Sequence, residues 1–255
     1  MMKKCVLLIL SVVLTGTISF AQLAGVKTIP GTYATVAAAI TDLNAQGVGA
    51  GGVTFNVAAG YTETFGSLTA GLITTTTSTI SNPIVFQKSG VGANPVITGF
   101  ATAPGTTDYI IALAGTDYIT FNGIDVTEPT GVIEWGYALL KASETNGTQN
   151  VTIKNCTITM NKTVSTTTGI YSANVTPAFP LTQLVLTAVS GTNSYNKFYS
   201  NTFNNCYTGI YLTGYNDATL PYAYLDQNNE IGKDGANIIT NVGGLATNGY
   251  DIYTI

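Results

Sequence analysis

From residue 31 onward the pattern of apolar and polar positions changes period. In "GTYATVAAAITDLNAQGVGAGGVTFNVAAGYTETF", Val36, Ala39, Ile40 and Leu43 recur at helical spacing. Thr35 is placed to cap the start and Gly47 the end, which predicts a short amphipathic helix over 35–46. After a glycine turn, Val53, Phe55 and Val57 alternate with Thr54 and Asn56, the period of a strand with one buried face. Beyond residue 66 the helical period does not return. Short apolar runs follow one another, separated by Gly, Asn, Asp, Thr and Pro.

Three of these runs align without gaps: "ITFNGIDV" from Ile119, "VTIKNCTI" from Val151 and "NKFYSNTF" from Asn196. Phe121, Ile153 and Phe198 then coincide, as do Val126, Ile158 and Phe203. A second element, "TGIY", occurs at Thr168–Tyr171 and again at Thr208–Tyr211. Each unit is a strand, a tight corner and a second strand, too small to bury its apolar side chains alone. Stacked as coils, the units bury them together and pair each backbone with its neighbours. The spacings of 32 and 45 residues exceed a coil of roughly twenty to thirty, so further coils or loops are expected between the units. In "NCYTGIYLTGYN", residues 205–216, Gly209 reads as a corner, with Ile210 and Leu212 as core positions. The fold class is all-β, a solenoid of parallel coils behind a helical cap. An antiparallel β-sandwich is the alternative, and would call for hairpins with two-residue turns.

The start of the chain adds an address. Lys3 and Lys4 precede an apolar run from Cys5 to Phe20, with small residues at Ser19 and Ala21, so residues 1–21 read as an export signal. The expected product is secreted or displayed at the cell surface and does not span a membrane after cleavage, since no second apolar stretch is long enough. Residues 22–65 form the cap region and 66–255 the coils. The final "NGYDIYTI" reads as the beginning of another coil, so a continuation beyond Ile255 is expected.

Charge removes whole classes of function. Without Lys3 and Lys4, seven lysines face thirteen acids, a net charge of 7 − 13 = −6, which argues against nucleic acid as a partner. Histidine is absent, and all nine basic residues are lysines. Imidazole-dependent triads, histidine-based zinc sites and bidentate arginine clamps are thereby excluded. Two cysteines remain after cleavage, Cys156 and Cys206. A disulfide between them and a pair of buried thiols are both open.

The cap carries a family likeness. "TYATVAAAITDLNAQG" followed by "GGVTFNVAAGYTE", including the Ala59-Gly60-Tyr61-Thr62-Glu63 turn, resembles the opening of right-handed parallel β-helix proteins of the pectin-lyase-like superfamily, specifically exported bacterial surface proteins. The resemblance covers nearly all of the mature chain and implies the fold more narrowly than the activity, because the superfamily includes lyases, hydrolases, esterases and adhesins. Its common catalytic sets rely on arginine or histidine and cannot be complete here. What the resemblance leaves open is a lyase with lysine as base and calcium held by carboxylates. The candidates are Asp125, Glu128 and Glu134, three carboxylates within ten residues, with Lys154 one repeat later. Otherwise no cofactor is implied.

Tyrosine suggests a different use. Ten of the fifteen tyrosines lie from Tyr171 onward, and stacked coils could align them into a strip suited to a polysaccharide or cell-surface glycan. Tyr207, Tyr211 and Tyr215, with Asn216 and Asp217, are the expected sugar-binding residues. The leading expectation is a non-catalytic module for display, adhesion or glycan binding. A polysaccharide lyase or hydrolase is the alternative, and a purely structural segment the third.

Overall fold

A computed structural model describes residues 22–100, 108–178, 183–244 and 249–254. The proposed export signal lies outside the described residues, as does the junction at residues 101–107. The described chain is built from parallel strands, with one helix near its start. Strand β1 (Leu23–Ile29) leads to helix α1 (Val36–Gln46), and the chain then makes six circuits of three strands each. The first circuit holds β2 (Val48–Ala58), β3 (Thr62–Thr64) and β4 (Leu72–Ile73), and the second β5 (Ile84–Ser89), β6 (Val96–Thr98) and β7 (Tyr109–Ala114). The third holds β8 (Ile119–Asn122), β9 (Asp125–Thr127) and β10 (Trp135–Leu140), and the fourth β11 (Thr152–Lys154), β12 (Thr157–Thr159) and β13 (Thr168–Ser172). The fifth holds β14 (Lys197–Tyr199), β15 (Thr202–Asn204) and β16 (Thr208–Leu212), and the sixth β17 (Glu230–Ile231), β18 (Ile238–Thr240) and β19 (Tyr250–Thr254).

Every third strand returns to the same sheet. Sheet 1 is β1-β2-β5-β8-β11-β14-β17, sheet 2 is β3-β6-β9-β12-β15-β18, and sheet 3 is β4-β7-β10-β13-β16-β19. All the ladders are parallel. Apart from β1 and β2, which α1 connects, consecutive strands lie in different sheets, so the hairpins of an antiparallel sandwich are not formed. Three parallel sheets visited in rotation are consistent with a parallel β-helix.

The aligned repeats are neighbours in these ladders. Ile153 pairs with Phe121 on one side and Phe198 on the other, Ile158 with Val126 and Phe203, and Thr168 with Thr208. The expectation of further coils between them is therefore corrected: the spacings of 32 and 45 residues each span a single circuit. The excess length lies in the connections from Leu140 to Thr152 and from Ser172 to Lys197. Because i and i+2 share a face, each three-residue strand sends its middle residue inward and two residues out. Phe55, Phe86, Phe121, Ile153 and Phe198 form one such buried column, with Phe55 and Phe86 stacked at 4.4 Å between centroids and Phe86 and Phe121 at 5.5 Å.

Corners are held by side chains reaching from one circuit to the next. Between sheets 1 and 2, Asn201 accepts from Cys156 N and donates to Ile153 O, while Asn237 repeats the pattern on Asn201 N and Phe198 O. Between sheets 3 and 1, Val151 N donates to Asn196 and Asn196 N to Asn229, while Thr148 N donates to Asn193 and Asn193 N to Asp226. Buried backbone at the bends is thereby paired where strand hydrogen bonds lapse.

Helix α1 lies against the start of this core with Val36, Ala39, Ile40 and Leu43 buried. The Thr35 hydroxyl caps Ala38 N, and Gly47 leaves the helix at φ 69°. Glu63 adds a second cap from β3, accepting Val36 N at 2.7 Å and Ala37 N at 3.1 Å, a carboxylate at the positive end of the helix dipole. Among the described residues no helix is long and apolar enough to cross a membrane.

Candidate functional site

The proposed catalytic carboxylates are engaged in structure. Glu128, just after β9, is buried and accepts from the backbone N–H groups of Thr130, Gly131, Val132 and Ile133 and from the Thr130 hydroxyl. Burial alone would raise its pKa, but these donors more than offset that and hold the carboxyl below its ordinary range. Asp125, on sheet 2, accepts from Asn94 Nδ2 at 2.8 Å and Thr157 N at 2.6 Å. Burial nevertheless pushes its pKa up, with those bonds and Lys88 pulling it back. Glu134 precedes β10 at sheet 3 and accepts Asp108 N at 3.0 Å. Lys154 is on sheet 1, with Nζ 5.7 Å from the centre of the Tyr199 ring.

The candidate carboxylates and Lys154 are not brought together. Among the described residues no three Asp, Glu or Cys side chains come together as a metal-binding group. Proximity in sequence misleads here because residues 125–134 pass from sheet 2 around a corner to sheet 3, while Lys154 belongs to the remaining sheet.

The tyrosine strip exists in a different form. On the outer face of sheet 3, Tyr171, Tyr211 and Tyr253 are in register, and Trp135 stacks on Tyr171 at 4.1 Å. Tyr171 and Tyr211 follow at 5.6 Å and Tyr211 and Tyr253 at 4.8 Å, with interplanar angles of 26° and 21°. Both faces of Tyr211 are therefore covered by other rings, and a sugar approaching from solvent would meet ring edges. The ladder stabilises the stack of strands. Tyr207 is also corrected: it is 7% exposed, at the bend entering β16, and does not face outward.

Gly209 is not a corner but lies inside β16, level with Gly169. A Cβ on Gly169 would stand 2.7 Å from Gly209 O. Of the remaining expected sugar ligands, Tyr215 and Asp217 are half-buried and Asn216 is exposed. Asp217 accepts Thr219 N at 3.1 Å and Tyr224 N at 3.0 Å, so its carboxylate shapes its own loop.

Cys156 and Cys206 are both free and buried, which is the second of the two open readings, a pair of buried thiols in place of a disulfide. They occupy different corners, Cys156 between β11 and β12 and Cys206 between β15 and β16. Burial pushes both thiols up to about 12, so neither is a nucleophile near neutrality.

Lys141 is a residue that sequence reasoning missed. This side chain, at the end of β10, is fully buried, donates to Gly191 O at 2.7 Å and lies 3.6 Å from Asp226 Oδ1. Burial lowers the Lys141 pKa and raises that of Asp226, and their mutual attraction opposes both shifts. A lysine with no exposed surface cannot reach a proton on a polymer, so the pair is a fastening. Asp226 also borders a cleft of about 270 Å³ with Leu212, Asn228, Asn229 and Thr254. The signal that could have found Lys141 is its place directly after the apolar run "WGYALL", where a charge must be buried or end the strand.

In comparison with known proteins, no protein-family model matches this all-β chain of three parallel sheets, and no curated protein or solved structure matches it at a significant level.

Proposed function

We propose that the chain is an exported right-handed parallel β-helix module of the pectin-lyase-like superfamily, serving in cell-surface display, adhesion or glycan binding without catalysis of its own. One observation carries the reading. The candidate carboxylates are engaged as hydrogen-bond acceptors within the chain, Glu128 from four backbone N–H groups, Asp125 from Thr157 N and Glu134 from Asp108 N. A carboxylate whose lone pairs are committed to its own backbone is poorly placed to exchange protons with a substrate. The right hand of the coil is supported by the general chirality of parallel crossovers, and export by Lys3, Lys4 and the apolar run after them. The test is a glycan array with the purified chain, run beside reducing-sugar and unsaturated-product assays on neutral and uronic-acid polymers. Binding without turnover is expected. Turnover abolished by Asp125→Ala or Lys154→Ala would replace this reading with the calcium-assisted lyase.

A further inference from the structure

The connections from sheet 3 back to sheet 1 are long in the fourth and fifth circuits, from Ser172 to Lys197 and from Leu212 to Glu230. They lie against each other. Tyr195 N donates to Gln227 O at 2.9 Å, Gln227 N to Ser194 Oγ at 2.9 Å, and Asn229 Nδ2 to Asn193 O at 2.9 Å. Between them is a cleft of about 220 Å³. One side is apolar, formed by Val189, Tyr195 and Leu225, which are 53%, 47% and 38% exposed. The other is polar: Thr192 and Ser194, buried with their hydroxyls 2.7 Å apart, and Gln227 at the rim, whose amide touches Tyr222 O only at 3.4 Å.

Tyr195 differs from the tyrosines of sheet 3 in that its ring is in no aromatic stack among the described residues. It also sits at φ 63°, in a column of left-handed residues with Tyr118, Asn150 and Asn228, one per circuit. Asparagine tolerates that conformation and a bulky side chain does so at a cost, so the ring is held where backbone preference opposes it. Tyr118 in the same column bears the same cost.

We infer that this cleft is a subsite for a single neutral hexopyranose unit of a glycan, an inference that rests on the glycan-binding reading above and narrows it. A sugar ring presents a C–H face and an edge of hydroxyls. The cleft offers an aromatic side chain with aliphatic neighbours on one side and, on the other, the Gln227 carboxamide and the remaining lone pair of Ser194 Oγ, while Thr192 Oγ1 is held by Val189 O, Gln149 Nε2 and Ser194 and shapes the wall. Its volume lies below the roughly 300–1,000 Å³ of sites for drug-sized ligands, as a single ring requires. None of the lining residues is charged. A uronic acid would bring a carboxylate with no cation to meet it, so the site discriminates against the acidic polymers that the lyase reading requires.

The experiment titrates the full chain with neutral gluco- and manno-oligosaccharides and with oligogalacturonate, followed by NMR shifts and calorimetry. It is repeated on Tyr195→Asn, which removes the ring while suiting the left-handed backbone, and on Leu225→Ser. Unfolding curves check that both variants fold. The expected result is binding of a neutral oligosaccharide, weakened about tenfold in Tyr195→Asn and by a smaller factor in Leu225→Ser, with oligogalacturonate bound at least about tenfold more weakly. Neutral-glycan binding unchanged in both folded variants would overturn the subsite and leave the glycan reading standing. Equal binding of oligogalacturonate would overturn the specificity. Absence of binding to any glycan tested would remove the glycan reading and the subsite with it.

Discussion

Asp226 takes the place that asparagine holds in the preceding circuit, at Asn193, and in the neighbouring corner ladder of Asn196 and Asn229. Asn193, Asn196 and Asn229 each accept a backbone N–H from the preceding circuit and donate their amide to a backbone carbonyl. Asp226 accepts Asn193 N at 2.8 Å but has no amide to donate, and Lys141 supplies the balancing charge. The carboxylate therefore costs desolvation that an asparagine would not, and the lysine offsets part of it. Asp117 is a second carboxylate at these bends, accepting Gln149 N at 2.7 Å. Burial pushes its pKa from 3.8 to about 6, with the Gln149 bond opposing the rise. A folded value above the unfolded one means that the charged form is disfavoured by folding. Asp117 accordingly subtracts stability above about pH 6, and the subtraction disappears as pH falls below about 4. Asp117→Asn keeps the acceptor and cannot ionise. It should be more stable than the parent by about 1–2 kcal/mol near pH 7.5, a figure reduced from the full shift because the side chain is partly exposed. Near pH 4 the two should coincide. Urea unfolding across that pH range measures the difference, and an offset that does not vary with pH would refute the assignment.

Strands meet closely where the side chain is missing. Gly136, Gly169 and Gly209 lie level in β10, β13 and β16, and a Cβ on Gly169 would come within 2.6 Å of Phe203 Cδ1 as well as 2.7 Å of Gly209 O. The carbonyl belongs to a strand fixed on both sides, so it cannot retreat far. Gly169→Ala should cost about 1–3 kcal/mol in urea unfolding, whereas Gly66→Ala, with nothing within 4 Å of the added methyl, should change stability by less than about 0.5 kcal/mol. Equal effects at the two sites would show that backbone entropy, not packing, sets the outcome. The long fourth-circuit connection is fastened differently. Lys141 holds it through Gly191 O, and Asp226 brings the fifth-circuit connection onto the same ammonium. Lys141→Met strands a largely buried carboxylate, and Asp226→Asn strands a fully buried ammonium. Each should cost about 3 kcal/mol. The double variant removes both charges, and its loss should be smaller than the sum by at least about 1 kcal/mol. Simple additivity in a double-mutant cycle would mean that the two groups do not act as a pair.

At the scale of the molecule, the parts legible in the sequence are those where one residue type recurs at one place in every circuit. Phe121, Ile153 and Phe198 could be aligned by eye because a parallel stack buries the same position each time, and the α1 caps were readable because capping is local. The circuit count was not legible, since connections such as Ser172 to Lys197 absorb length without altering register. Nor was the burial of Tyr207 or the self-stacking of Tyr211, because a sequence shows alternation along a strand and not what covers each face. The same stacking logic predicts how the molecule opens. Stability in such an array is a sum of circuit and neighbour contributions, so it should vary along the stack. Strand β10 is buried along its whole length between β7 and β13, whereas β17, β18 and β19 each stand at the edge of a sheet. The inward column Ile170, Ile210, Ile252 goes from 0% exposed at its first two members to 44% at the last. Hydrogen exchange should therefore be slowest in β10 and β13, intermediate in β16 and fastest in β18 and β19, with protection falling by about two orders of magnitude or more across the last two circuits. Mass spectrometry of peptic fragments resolves these strands separately. Protection in β19 equal to that in β10 would contradict the gradient and require that the edge strands be covered by a further surface in solution.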